Sequence, residues 1–169
     1  GIYVIDIHKT RIINETFGHN VGDMLISQVA ERLSTLLSGG ETLGRLTSDE
    51  FVLIVEDLSL MEDFASRARE LCTAITEHPY SLQGHRVFQE ICIGYSLFPV
   101  DATDPETLLR QADIARSQAR QLGHGEKYKG YSSRGDTVEL LFSLEQQLRK
   151  TIDTPDFSLH YQPLYDLST

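Results

Sequence analysis

The chain has 169 residues, 40% of them apolar, and a formal net charge of −10. This is enough apolar content for a buried core, and the length suits one domain with part of another. The acidic balance argues against binding along a nucleic-acid backbone, which needs a basic face, but allows a single nucleotide with a divalent metal. Its two cysteines, Cys72 and Cys92, have neither zinc-ligand nor disulfide spacing, which indicates a reducing compartment.

The first part of the chain predicts a strand, a loop, a helix and a hairpin. Ile2–Ile7 is a short apolar strand, and residues 14–23 (NETFGHNVGD) have the glycines and polar residues of a loop. Apolar residues recur at helical spacing over 21–37, and the glycine pair 39–40 is expected to end that helix. Residues 44–57 (GRLTSDEFVLIVED) predict two strands joined by a polar turn. The second of them is apolar on both faces, which favours a central place in its sheet.

Two helices and a long strand are predicted next. Apolar spacing over 60–75 indicates a helix that ends before Pro79. Alternating apolar residues over 87–98 indicate one long strand. Pro105 begins a third helix that Gly123 ends, and its inner face is predicted to carry Leu108, Leu109, Ala112, Ala115 and Ala119.

The order of these elements predicts the fold class. A βαββαβ core followed by a helix is typical of an α+β sandwich, in which helices flank a central, mostly antiparallel sheet. The first strand and the hairpin would then bring Asp6 close to Asp49 and Glu50 at one edge of the sheet.

A second domain is predicted to begin after residue 131. Apolar spacing over 138–152 indicates a helix, and residues 157–161 alternate as a strand does. One helix and one strand cannot bury a core by themselves. We therefore expect residues 1–131 to be one domain, truncated at its N-terminus, and residues 132–169 to be a linker helix and the first strand of a truncated second domain.

The three acids at the predicted sheet edge have two interpretations. Mg²⁺ prefers hard oxygen ligands, usually one or two carboxylates completed by phosphate oxygens and water, and Asp6 with Asp49 or Glu50 would suit it. Alternatively, Asp6 caps the following loop and the TSDE turn is simply solvated. The spacing of the residues does not decide between the two.

Several segments together resemble the GGDEF family of diguanylate cyclase domains. They are DIHKTRIINETFGHNVGD, RLTSDEF, ICIGYSLFP and LLRQADIARSQARQLGHG. The resemblance implies a fold related to the adenylyl cyclase catalytic core and the condensation of two GTP into cyclic di-GMP. The final segment, LEQQLRKTIDTPDFSLHYQPLYDLST, resembles the first helix and strand of an EAL domain, the phosphodiesterase that often accompanies this family.

The resemblance also implies roles for individual residues. The implied metal ligands, for Mg²⁺ or Mn²⁺ accompanying the nucleotide, are Asp6, the Ile7 carbonyl, Asp49 and Glu50. Glu50 would also be the catalytic residue if the domain is active, and Asn14 and Asp23 would hydrogen-bond the guanine edge. The implied phosphate-side positions are Thr10, Arg11, Thr47, Ser48 and Arg120.

The chain departs from the family pattern around the phosphates. Thr47 and Ser48 replace the two signature glycines, so side chains stand where phosphate oxygens should lie. The other substitutions are Thr10-Arg11 for Phe-Lys, Arg120 and His124 for Lys and Arg, His8 for Asp, and SGGE at 38–41 for the inhibitory product site RxxD. Losing one preorganised phosphate donor typically costs ~10²–10³ in rate. The pattern favours binding without efficient turnover.

We therefore expect a degenerate GGDEF domain of a GGDEF–EAL cyclic di-GMP signalling protein. It would bind GTP with Mg²⁺ and regulate the downstream EAL domain, through which the parent protein would act on cyclic di-GMP as a phosphodiesterase. One alternative is an active diguanylate cyclase, which requires a homodimer of two GTP-loaded domains. Another is an interaction scaffold that binds no nucleotide. The expected location is the cytoplasm, where the domain would belong either to a cytoplasmic protein or to the cytoplasmic part of a membrane-anchored one.

Overall fold

The computed structural model describes residues 1–56, 64–121 and 127–131. The chain divides into two compact units, residues 1–132 and 133–169, and all described residues belong to the first. The predicted linker helix and EAL strand lie outside the described residues, as do Leu60, Gly123 and His124.

The α+β fold predicted from the sequence is confirmed. In chain order, the described elements are β1 (Ile2–Ile7), α1 (Thr10–Phe17), α2 (His19–Thr35), β2 (Glu41–Arg45), β3 (Glu50–Val55), α3 (Phe64–Thr76), β4 (Tyr80–Leu82), β5 (His85–Val87), β6 (Ile91–Ser96), α4 (Pro105–Gln121) and β7 (Tyr128–Gly130). The main sheet has five strands in the order β2-β3-β1-β6-β7, while β4 and β5 form a separate hairpin. Among the described strands of the main sheet, only β6 and β7 pair in parallel.

The central strand β1 separates two packed layers. Tyr3, Ile5 and Ile7 are buried in a core shared with α2 and α3. Because side chains alternate along a strand, Val4 and Asp6 lie on the opposite face, which α4 covers. The strand β3 has an inner position, as predicted, between β2 and β1. Its Ile54 is nevertheless 42% exposed, so only one face of β3 is fully buried.

Two predicted segments were wrong. Residues 14–23 are helical rather than a loop: α1 and α2 are separated by Gly18, whose φ of +90° breaks the helix. The polar residues had suggested a turn, but the apolar stripe of α2 packs on the core from its first turn. The predicted long strand over 87–98 is divided between β5, which pairs with β4 in the separate hairpin, and β6 of the main sheet. Between them the Gln89 amide donates to the carbonyls of His8 and Glu90.

The helix α4 lies against the sheet at very short range. Gly94 on β6 makes this possible, since a Cβ there would lie 2.0 Å from the Ala112 carbonyl oxygen and 2.1 Å from the Arg116 nitrogen. Of the five residues predicted for the inner face of α4, four are buried and Leu109 is half-buried. Gln111, which was not predicted there, is also buried. The positions of Arg116 and its neighbours are therefore fixed by backbone contact with β6.

Glu41, the last residue of the 38–41 segment (SGGE), has a structural role. Arg67 on α3 donates to both carboxylate oxygens of Glu41, at 2.6 and 3.0 Å, and to the Leu36 carbonyl at 2.6 Å. The pair is mostly buried, with side-chain exposures of 14% and 7%. It joins the end of α2, the start of β2 and α3, so Glu41 stabilises the fold.

We predict that Gly94→Ala destabilises the protein. The new methyl group would collide with backbone atoms of α4, and overpacking of this kind costs about 2 kcal/mol or more. Urea denaturation followed by circular dichroism measures the change. Gly39→Ala is the matched control, since no atom lies within 4 Å of a Cβ there. Equal stability of the two variants would contradict the close packing of α4.

Candidate functional site

The end of β1 and the β2–β3 turn meet, as the sequence predicted. Asp6 is paired with Glu50 in the β1–β3 register, and the Ile7 N–H donates to the Asp49 carbonyl at 2.9 Å. The turn is closed by the Leu46 N–H, which donates to the Glu50 carbonyl at 2.8 Å. Backbone pairing therefore holds the three acids close together, at the end of β1 and the start of β3.

Hydroxyl groups bind the two acids of the turn. Thr10 at the start of α1 donates to Asp49 Oδ2 at 2.8 Å, and Ser48 donates to Asp49 Oδ1 at 3.1 Å. Thr47 donates to Glu50 Oε2 at 3.1 Å. Thus the side chains of Thr47 and Ser48 hold the two acids of the turn.

The third acid, Asp6, is 6% exposed and faces two arginines of α4. Arg116 lies 3.3 Å and Arg120 3.6 Å from Asp6 Oδ2, measured from one guanidinium nitrogen of each. Burial raises the pKa of Asp6 above its usual 3.8, and this effect outweighs the lowering by the two arginines. Among the described residues, Asp6 Oδ2 makes ion pairs but no hydrogen bond.

Arg116 also reaches the hairpin. Its Nη2 lies 3.4 Å from Glu50 Oε1 and 2.6 Å from Asp113 Oδ1, and its side chain is 12% exposed. Arg120 is much more open, with a side chain 53% exposed. The two arginines therefore differ: Arg116 is part of the buried cluster, whereas Arg120 borders it.

His8 stands where the resemblance implies another acid, and it behaves as a neutral group. Burial lowers the pKa of His8 below 6.5, and Arg120 and Lys9 lower it further. At neutral pH the imidazole is therefore uncharged. The position offers a nitrogen in place of the hard oxygen that a magnesium site would use.

The predicted magnesium ligation stays a prediction, and the side chains of Asp6, Asp49 and Glu50 contact groups of the chain itself. Within the described residues, no group of three or more His, Cys, Asp or Glu side chains is gathered to hold a metal ion. Oxygens of Asp49 and Glu50 accept bonds from hydroxyls, and the guanidinium of Arg116 contacts both Asp6 and Glu50.

A polar cleft of about 420 Å³ adjoins the turn. It is lined by Thr10, Arg11, Asn14, Glu15, His19, Ser48 and Asp49. The Asn14 side chain lies over Gly22, where a Cβ would come within 1.8 Å of its Oδ1. Asp23, the other predicted guanine contact, follows Gly22 but lines a separate hollow with Met24. The structure thus brings Thr10, Arg11, Asn14 and Ser48 together and leaves Asp23 apart.

Sequence reasoning did not find Arg116. A signal was present, because Arg116 follows Ala112 by four residues and lies between Ala115 and Ala119 on the face that packs on the sheet. A permanently charged residue inside an apolar stripe requires an acid facing it. Asp6 and Glu50 are those acids.

Comparison with known proteins places this geometry in context. Residues 1–126 match a family model described as "Diguanylate cyclase, GGDEF domain". The signalling protein YkoW of Bacillus subtilis is 31% identical, over 98% of this chain and 21% of its own length. MucR of Pseudomonas aeruginosa, a bifunctional diguanylate cyclase/cyclic di-GMP phosphodiesterase, is 31% identical over 96% of this chain and 24% of its own length. The chain thus spans less than a quarter of either relative.

A solved structure has the same fold. The GGDEF domain of YfiN (TpbB) from Pseudomonas aeruginosa superimposes with a TM-score of 0.76 at 27% identity, covering 83% of this chain and 80% of that one. No helix in the described part of the chain has the length and apolar character needed to cross a membrane.

We predict unequal effects for the two arginines. Arg116→Ala leaves Asp6 buried without its closest cation and should lower the free energy of unfolding by about 3 kcal/mol. Arg120→Ala removes a longer contact at an exposed position and should cost less than about 1 kcal/mol. Chemical denaturation of both variants at neutral pH measures the difference. Similar losses would show that Arg116 is not the cation that holds the cluster.

Proposed function

Because this chain belongs to the GGDEF family of diguanylate cyclase domains, we propose that it is a regulatory GTP-binding domain of a cyclic di-GMP signalling protein. We propose further that it turns GTP over slowly or not at all. One observation carries this proposal. Hydroxyls and a guanidinium of the chain itself contact the carboxylates of Asp6, Asp49 and Glu50, while the neighbouring cleft is open.

The cleft supports nucleotide binding. The Asn14 amide at its wall can both donate to and accept from a guanine edge. The Arg11 side chain is 87% exposed, and its 3.5 Å pair with Glu15 is of the weak surface kind that a phosphate can replace. These groups are separate from the buried acid cluster, so binding can persist where chemistry is lost.

The state of the acids supports low turnover. Family members use Mg²⁺ with GTP, and a metal ion can activate an attacking hydroxyl and neutralise the leaving phosphates. For this chain Mg²⁺ stays a prediction, since the oxygens of Asp6, Asp49 and Glu50 contact hydroxyls and a guanidinium. Loss of even one such electrostatic group typically costs ~10²–10³ in rate.

The regulated partner in this proposal is a downstream EAL domain, which the resemblance of residues 144–169 suggests. Binding of GTP would change the signal that reaches it, and cyclic di-GMP would be its substrate in the parent protein. This agrees with MucR, a relative that combines cyclase and phosphodiesterase activities.

An active cyclase is the second candidate function. All three acids are present, and the register of β1 and β3 brings Asp6 and Glu50 directly opposite each other. Catalysis by this route would need two GTP-loaded copies facing each other.

We predict that GTP binds to the chain with micromolar affinity and that Asn14→Ala weakens this binding by about tenfold or more, as loss of a hydrogen-bonded base contact does. Calorimetric titration with and without Mg²⁺ measures it. ATP tests whether the base is recognised, and Glu77→Ala, an exposed change directly after the end of α3, is the control variant. No binding at millimolar GTP would favour an interaction scaffold over the proposed function.

We also predict that the chain, incubated with GTP and Mg²⁺, makes no more cyclic di-GMP than its Glu50→Ala variant does. The reason is that Glu50 is held by Thr47 and Arg116 and is not free to assist the reaction. Chromatographic detection of the product after overnight incubation is the measurement. Product that forms with the unmodified chain and disappears with Glu50→Ala would establish the active cyclase instead.

A further inference from the structure

One guanidinium lies between two acids that come from different strands. Arg116 Nη1 is 3.3 Å from Asp6 Oδ2, and its Nη2 is 3.4 Å from Glu50 Oε1. Asp6 belongs to β1, Glu50 to β3 and Arg116 to α4. The side chains of Arg116 and Asp6 are 12% and 8% exposed, and that of Glu50 is 25% exposed. A single cation thus joins two acids that would otherwise repel each other.

The position of this cation is built into the backbone. The Arg116 nitrogen lies so close to β6 that a Cβ at Gly94 would come within 2.1 Å of it. Asp113, one turn earlier on α4, accepts from Arg116 Nη2 at 2.6 Å and Nε at 2.8 Å. The contact with Gly94 fixes the backbone of Arg116, and Asp113 orients its guanidinium. Arg116 is therefore preorganised to contact the two acids.

We propose that Arg116 takes the place of a divalent cation between Asp6 and Glu50 and keeps metal ions out of this position. The inference rests on the proposed function in that it concerns the same nucleotide site. A guanidinium carries a permanent charge, so it satisfies the acids at every physiological pH. It offers N–H donors but no coordination positions for phosphate oxygens, so it stabilises the acids without supplying metal chemistry.

This arrangement has a consequence for the ligand. A triphosphate that enters the cleft meets the Arg11 guanidinium at its wall, and Arg116 occupies the position between Asp6 and Glu50 beside it. Its binding to the chain then does not depend on a divalent ion at the acids. The protein would act as a metal-independent nucleotide receptor at a position suited to metal catalysis.

The test is a titration of Mn²⁺ without nucleotide, so that failure of GTP binding cannot affect its outcome. Free Mn²⁺ is followed by electron paramagnetic resonance, and the melting temperature is recorded in parallel. The unmodified chain should show no saturable site in the millimolar range. Arg116→Leu should bind Mn²⁺ about tenfold or more tightly than the unmodified chain and should gain thermal stability on adding it.

Three variants complete the design. Arg110→Leu removes an exposed arginine of the same helix and should leave the titration unchanged. Asp6→Asn combined with Arg116→Leu should abolish the new site. Arg116→Gln replaces the charged side chain with a neutral polar one, and it is titrated with Mn²⁺ instead if Arg116→Leu does not fold.

Two results would overturn the proposal. One is saturable Mn²⁺ binding by the unmodified chain that Asp6→Asn abolishes, since the metal would then bind despite Arg116. The other is a folded Arg116→Leu or Arg116→Gln variant that binds Mn²⁺ no better than the unmodified chain. GTP binding with normal affinity in either case would leave the proposed function intact and reject only the role of Arg116.

Discussion

The close contact of α4 with β6 at Gly94 is the constraint on which the candidate site depends. Only a residue without a Cβ lets the helix backbone touch the strand, and small Ala residues continue the contact along the helix. A long side chain on the inner face of α4 can then reach the strand ends that carry the acids. Arg116 does so, and its guanidinium arrives where Asp6 and Glu50 meet.

Three acids gathered at neighbouring strand ends need groups that compensate their negative charge, because burial and mutual repulsion both oppose ionisation. Proteins can supply a metal, a cationic side chain or hydrogen-bond donors. Here the chain supplies the last two: Arg116 for Asp6 and Glu50, and the hydroxyls of Thr10, Thr47 and Ser48 for the turn. Thr47 and Ser48 therefore have a role in the turn itself, since their hydroxyls donate to the carboxylates of Glu50 and Asp49.

Much of this could be predicted from the sequence, and the exceptions have physical causes. Periodicity identified β1, α3 and α4, because each buries a continuous apolar face. Periodicity failed for residues 14–23. A single glycine with positive φ separates two helices there, and the polar residues of both helices had predicted a loop. It also missed β7, whose three residues are too short to show a period. The meeting of Asp6 with Glu50 followed from strand order, whereas Arg116 required knowing how closely α4 lies on the sheet.

The parallel pairing of β7 with β6 has a mechanical consequence. The Ile93 N–H donates to the Lys127 carbonyl at 2.8 Å, and the Tyr131 N–H donates to the Tyr95 carbonyl at 2.7 Å. Tension applied at residue 131 along the strand direction loads such bonds together in shear, whereas a perpendicular pull would open them one at a time. The strand β6 pairs in turn with β1, whose end carries Asp6. A load applied at residue 131 is therefore carried toward the acids through three adjacent strands, β7, β6 and β1.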